Sequence, residues 1–138
     1  MWWVYAFFSA LFAALTAVFA KVGISNINTN LATGIRTIVI MVMIWMIILS
    51  TGETKGISTL SRQNIFFLVI SGIATGLSWL FYFKALQLGN VSHVALIDKL
   101  SVVLVIILSV LFLGETVNLK TVLGAGLIVA GALVLVWK

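Results

Sequence analysis

The chain has 138 residues, 63% of them hydrophobic and only 8% charged, with a mean hydropathy of +1.30. A soluble domain carries about 25% charged residues, so there is too little polar surface here to cover a globule, and the composition is that of an integral membrane protein. Eight Lys/Arg against three Asp/Glu give a net charge of +5, but the bases stand singly and form no patch for nucleic acid, and the lack of cysteine excludes a disulfide framework and thiolate metal sites.

A helix needs ~20 mainly apolar residues to cross ~30 Å of hydrocarbon. The N-terminus, MWWVYAFFSALFAAL, lacks the basic region of a cleaved signal peptide and is expected to be the first span, with Trp2 and Trp3 at headgroup level. Five spans are expected, at about 3–22, 31–49, 64–88, 91–113 and 119–137, with Lys138 as a terminal anchor. Short connections make consecutive helices antiparallel neighbours. The expected fold is therefore all-α, one five-helix membrane domain over 1–138.

An odd number of spans puts the termini on opposite sides. Lys55, Arg62 and Lys120 lie on the N-terminal side, and Lys21, Arg36, Lys84 and Lys138 on the other. Three against four gives no positive-inside bias, so either other signals fix the orientation or the chain inserts both ways.

The third span carries Gly72 and Gly76, and the fifth Gly124, Gly126, Ala130 and Gly131; the first has a row of Ser9, Ala13, Ala17 and Ala20. Small residues at such spacing let helices approach closely, within the chain or in a dimer.

Ionisable residues inside spans cost ~2.5–3.5 kcal/mol each at the bilayer centre, and less near its surface. Lys21 can snorkel to the headgroups. Arg36 can bind lipid phosphate or serve a site, and Lys84 can stay interfacial. Asp98 is short and about 11 Å of helix into its span, so it needs a partner or a wet cavity. It is the favoured site residue, a structural salt bridge to Lys84 or Arg36 being the alternative. Asp98 and its neighbour Lys99 point ~100° apart on a helix and are expected to serve two different faces. The third span has a hydroxyl stripe of Ser71, Thr75, Ser78 and Tyr82, flanked by Trp79 and Phe83. That stripe suits a small metabolite with polar and apolar parts, unless its hydroxyls bond back to their own helix. His93 is expected to be interfacial. No phosphate loop, His/Cys metal set or second intramembrane carboxylate appears, so neither an enzyme nor a cofactor or metal is expected.

Several motifs resemble the EamA-type members of the drug/metabolite transporter superfamily: Lys21 ending the first helix, NLATGIRT (30–37), GLSWLFYFKALQLG (76–89), SVLFLGE (109–115) and LGAGLIVAGALVLV (123–136). Where many members carry a proline after the serine of the fourth helix, this chain has Ser101-Val102, as in a short, single-repeat subgroup. Full-length relatives contain two five-helix repeats in opposite orientations; this chain resembles one. The resemblance implies an alternating-access transporter in a prokaryotic cell membrane, with a second copy supplying the missing half as an antiparallel homodimer. A heterodimer subunit or a non-transporting scaffold is the alternative. Small multidrug-resistance transporters, similar in architecture, rely on an acid in the first helix, which here holds only Ser9 and Thr16 as interior polar groups. The basic excess therefore points to zwitterionic or anionic substrates. Asp98, Lys99, Lys84, Arg36, Ser78, Trp79, Tyr82 and Ser101 form the expected substrate or coupling set.

Overall fold

A computed structural model describes residues 1–137, and the anchor expected at Lys138 lies outside them. The described residues are helical in long runs: α1 (Trp2–Gly23), α2 (Thr29–Thr51), a 3-10 helix (Glu53–Thr59), α3 (Arg62–Leu88), α4 (Val91–Asp98), α5 (Ser101–Leu113) and α6 (Leu119–Val136). Uninterrupted apolar stretches dictate these runs, since a backbone in lipid must satisfy its own N–H and C=O groups.

Among the described residues four candidate spans have the length and apolarity to cross a membrane: Trp2–Gly23, Thr29–Thr51, Arg62–Leu88 and Val91–Leu113. The fifth expected span is the 18-residue α6, about 27 Å long at 1.5 Å per residue and so slightly short of the hydrocarbon thickness. The linker after α2 forms the 3-10 helix.

Helix ends follow local chemistry. Asn28 caps α2 by accepting from the Asn30 amide at 2.8 Å, and Asn118 caps α6 by accepting from the Thr121 amide at 2.9 Å. Gly52 ends α2 at φ +71°, and Gly114 ends α5 at φ +66°. Both sit in the left-handed region, where a Cβ costs ~1–2 kcal/mol. Gly124 is a contrast: it lies inside α6, and an added Cβ there meets nothing within 4 Å. Gly114→Ala is therefore expected to lower unfolding stability in detergent by ~1 kcal/mol, while Gly124→Ala leaves it unchanged or raises it by up to ~1 kcal/mol. Thermal unfolding of the two variants side by side measures this difference.

The fourth expected helix is not continuous. It breaks after Asp98 and resumes at Ser101. No proline or glycine stands there. The turn tightens instead, through i to i−3 hydrogen bonds from Lys99 to Leu96 (3.1 Å), Leu100 to Ile97 (3.0 Å), Val102 to Lys99 (3.0 Å) and Val103 to Leu100 (3.1 Å). Lys99 (φ −66°, ψ −11°) and Leu100 (φ −60°, ψ −23°) stay right-handed, so the break is a 3-10 constriction rather than a corner.

The chain divides into two compact units, one of Met1–Val18 with Leu88–Lys138 and one of Phe19–Gln87. In the first, α6 packs against α4 and α5. Between α5 and α6 runs an apolar groove of about 440 Å³, lined by Val103, Ile106 and Ile107 on one side and Ala125, Gly126 and Ala130 on the other. In the second unit the buried residues gather where α1 finishes, α2 begins and α3 finishes. Ala20 and Ile24, then Thr29, Ala32 and Thr33, then Phe83 and Leu86, are covered there. Their spacings of three and four residues place each set on one stripe of its helix. Thr33 and Thr37 return their hydroxyls to the carbonyls of Thr29 and Thr33, both at 2.8 Å, so these polar groups are satisfied within α2. The distal half of α2 and the first half of α3 carry many large apolar side chains that stay exposed, between Ile38 and Leu49 and between Ile65 and Leu77. In a membrane protein such faces meet lipid or another chain.

Candidate functional site

Arg36 is the eighth residue of α2, about 10 Å of helix from its start. It continues the stripe of Thr29, Ala32 and Thr33, and that register turns its side chain towards α3. There the residues four apart, Trp79 and Phe83, receive it. The guanidinium carbon lies over the Phe83 ring, 4.3 Å from its centroid, and 5.7 Å from that of Trp79. Phe83 is 1% exposed, so it is a fixed floor for the cation. Tyr82 meets the same ring edge-on, with centroids 5.9 Å apart.

One feature of this cage is unbalanced. Arg36 is half-buried, yet its Nη1 is fully covered and has no hydrogen-bond partner. A desolvated cation–π contact is worth about 2 kcal/mol, and an orphaned N–H costs ~1–3 kcal/mol. The rings thus offset roughly the missing hydrogen bond and leave the half-buried charge without a counter-ion.

Below the cage, α1 and α3 tie each other's ends. Lys21 donates from Nζ to the Leu86 carbonyl at 2.5 Å. In return Gln87 donates from Nε2 to the carbonyls of Ile24 (3.2 Å) and Ile27 (3.0 Å). These carbonyls belong to the last turn of α3 and to the link that follows α1, where helix ends leave acceptors unpaired. Lys84 donates to Gln87 Oε1 at 3.4 Å and is otherwise exposed. Lys21 is thus given to a helix end, where the sequence alone allowed a snorkelling role. Neither Lys21 nor Gln87 stood among the expected site residues, because a backbone acceptor leaves no mark in the sequence.

In the other unit, Asp98 and Lys99 flank the constriction. The expectation that they serve separate faces is corrected: Lys99 Nζ reaches Asp98 Oδ2 at 3.9 Å. The 100° separation holds for Cα–Cβ directions on a regular helix, while the helix tightens here and the lysine stem is long enough to curl back. The pair is loose and open, with side chains 41% (Asp98) and 54% (Lys99) exposed. Ser101, the first residue of α5, is also exposed.

The hydroxyl stripe of α3 is largely uncovered. Thr75 donates to the Ser71 carbonyl at 2.9 Å, the back-bonding alternative, while Ser78 is exposed and Tyr82 half-buried. The glycines at 72, 76, 124, 126 and 131 have no atom within 4 Å of an added Cβ, so none of them is held against a neighbouring helix of the same chain. Among the described residues no group of three or more His, Cys, Asp or Glu could hold a metal ion.

An Arg–aromatic cage and an Asp–Lys pair at a helix break, both inside apolar spans, are features of a membrane protein that handles polar solutes. The model of the EamA-like transporter family matches residues 1–137. The chain belongs to that family. It is 53% identical over 134 residues to a Sinorhizobium sp. protein described as "Uncharacterized transporter in cobO 3'region", covering 97% of this chain and 95% of the relative. No solved structure matches the chain. Family membership gives the EamA-like chain its role as a multi-pass membrane transporter and fits its single-repeat length.

Proposed function

We propose that this EamA-like chain transports a small zwitterionic or anionic metabolite by alternating access, two copies in opposite orientations forming one transporter. The observation that carries the reading is the constriction at Lys99 and Leu100, where an apolar span holds Asp98, Lys99 and Ser101 around an interrupted helix. Transporters place their sites at discontinuous helices near the bilayer midplane, between repeats of opposite topology. Within its own unit Asp98, beside Lys99, takes a proton or a substrate amine, and within the other unit Arg36 and Lys84 serve a carboxylate. Ser78, Trp79 and Tyr82 line the path on α3.

Two supports favour a second copy. Leaving aside Lys99 within the fourth span, three bases lie on one side and four on the other, a difference too small to prefer an orientation. Gly72 and Gly76 present an open surface on α3, as do Gly124 and Gly131 on α6, with no use for it inside one chain.

The natural chain has no cysteine, which makes the test clean. Single cysteines at Ser58, in the 3-10 helix, are expected to label from both faces of the membrane in comparable amounts. Purified protein alone should then exchange a labelled amino or carboxylic acid across proteoliposomes. Strictly one-sided labelling overturns the antiparallel homodimer; no exchange across a broad metabolite panel overturns the transport mechanism.

A further inference from the structure

We infer that Arg36 is the anion-recognition residue of this chain, its guanidinium over Phe83 taking one singly charged oxyanion, a carboxylate or a phosphodiester, at Nη1. The inference rests on the transport reading for its biological role, but the binding site stands on its own geometry.

Within the unit Phe19–Gln87 nothing balances this cation. Its one acid is Glu53, seventeen residues along the chain and so about 25 Å of helix away, beyond the far end of α2. Asp98, the one acid in any span, already has Lys99 at 3.9 Å. Of the other bases in the unit's packed end, Lys21 is committed to the Leu86 carbonyl and Lys84 to Gln87. Among the described residues Arg36 alone combines a covered, partnerless N–H with a position inside an apolar span.

Electrostatics then select the ligand. The rings lie 4.3 Å (Phe83) and 5.7 Å (Trp79) from the guanidinium carbon and offer no acceptor oxygen, so its N–H groups still need one. A neutral ligand leaves the half-buried positive charge unpaired. A dianion leaves a net negative charge in a medium of low dielectric, which is as costly. One monovalent oxyanion cancels the charge and supplies the acceptor that Nη1 lacks, in a charge-assisted hydrogen bond. The ring surfaces of Trp79 and Phe83 suit an apolar body attached to that oxyanion. Since Nη1 is covered in this state, binding requires the guanidinium to move on Phe83 or its cover to part. Trp79, 5.7 Å away, reports either movement.

The test uses the full chain with Trp2, Trp3, Trp45 and Trp137 replaced by Phe, so that Trp79 is the only indole. In a maltoside detergent free of phospholipid, sodium 3-phenylpropionate is expected to shift Trp79 emission saturably, and its methyl ester to leave it unchanged. Arg36→Gln should weaken carboxylate binding about 30-fold, roughly 2 kcal/mol for a hydrogen bond to a charged group. Arg36→Lys should retain part of it. A second arm adds phosphatidylglycerol. An Arg36-dependent shift with that lipid, which the carboxylate fails to displace, supports the site and assigns its oxyanion to a lipid headgroup; displacement assigns it to a free solute. Equal binding of acid and ester, or no saturable shift in the otherwise native chain, overturns the inference even if the Arg36 variants fail to fold. Exchange across proteoliposomes separates the two readings. Arg36-dependent binding without exchange removes the transport mechanism and keeps the site. Exchange at native rate and affinity in Arg36→Gln does the reverse.

Discussion

Asp98→Asn is expected to lower exchange across proteoliposomes at least about 100-fold while leaving the protein folded. The substitution is nearly isosteric and removes one charge. Its cost to stability is small, because the only ion pair involved is open and 3.9 Å long, and exposed pairs are worth about 0–1 kcal/mol. Its cost to function is large if Asp98 binds a proton or a substrate amine at the constriction. Removing one partner of a desolvated charge pair costs ~2–5 kcal/mol, and 2.7 kcal/mol is already about 100-fold. Lys99→Gln separates this role from a merely structural one. It destroys the same ion pair but keeps the acid, so exchange should survive at a reduced rate. If instead Asp98→Asn exchanges as well as the native chain, or if both single variants lose exchange together with folding, the pair only fixes the helix and the role assigned to Asp98 is wrong. Circular dichroism and gel filtration of each variant, alongside the flux, make the comparison complete.

The contrast between the two charged sites shows what a sequence of this kind exposes. Helix limits were readable to within about two residues because hydrocarbon thickness and unbroken apolarity leave few choices. The pairing of Trp79 with Phe83 was readable too, since four-residue spacing puts them on one face of α3. That Arg36 is the residue they receive was not, because it depends on how α2 and α3 turn towards each other. The constriction after Asp98 was hidden for a different reason. Neither proline nor glycine marks it, and reasoning from a uniform helix then separated two side chains that in fact approach each other. Glycine spacing in α3 and α6 was plain, yet the surface it meets lies outside the chain, so one protomer leaves those glycines open.

Lys21→Met is expected to lower unfolding stability in mixed micelles by about 2 kcal/mol, and Gln87→Met by a similar amount. The magnitudes follow from what each side chain holds. Lys21 gives a charge-assisted hydrogen bond of 2.5 Å to the carbonyl of Leu86, a residue with no exposed surface. Such bonds contribute ~1.5–3 kcal/mol, and the lysine also sits where the dipoles of α1 and α3 both end negative. Gln87 makes two neutral bonds, each worth about 1 kcal/mol, to Ile24 and Ile27. Burial of the neighbouring apolar residues contributes less than it would in water, because lipid is as apolar as the core, so these few polar ties carry an unusual share of the junction. A lysine that merely snorkels to the headgroups predicts a different result: Met would replace it at no more than about 0.5 kcal/mol, as at an ordinary surface position. The double variant is the sharper measurement. Both side chains brace the same pair of helix ends, so once one tie is gone the second holds less, and the combined loss should fall short of the sum by ~0.5–1 kcal/mol. Strict additivity would show that the two ties act independently, and that the end of α1 is held to α3 by something other than this reciprocal cap.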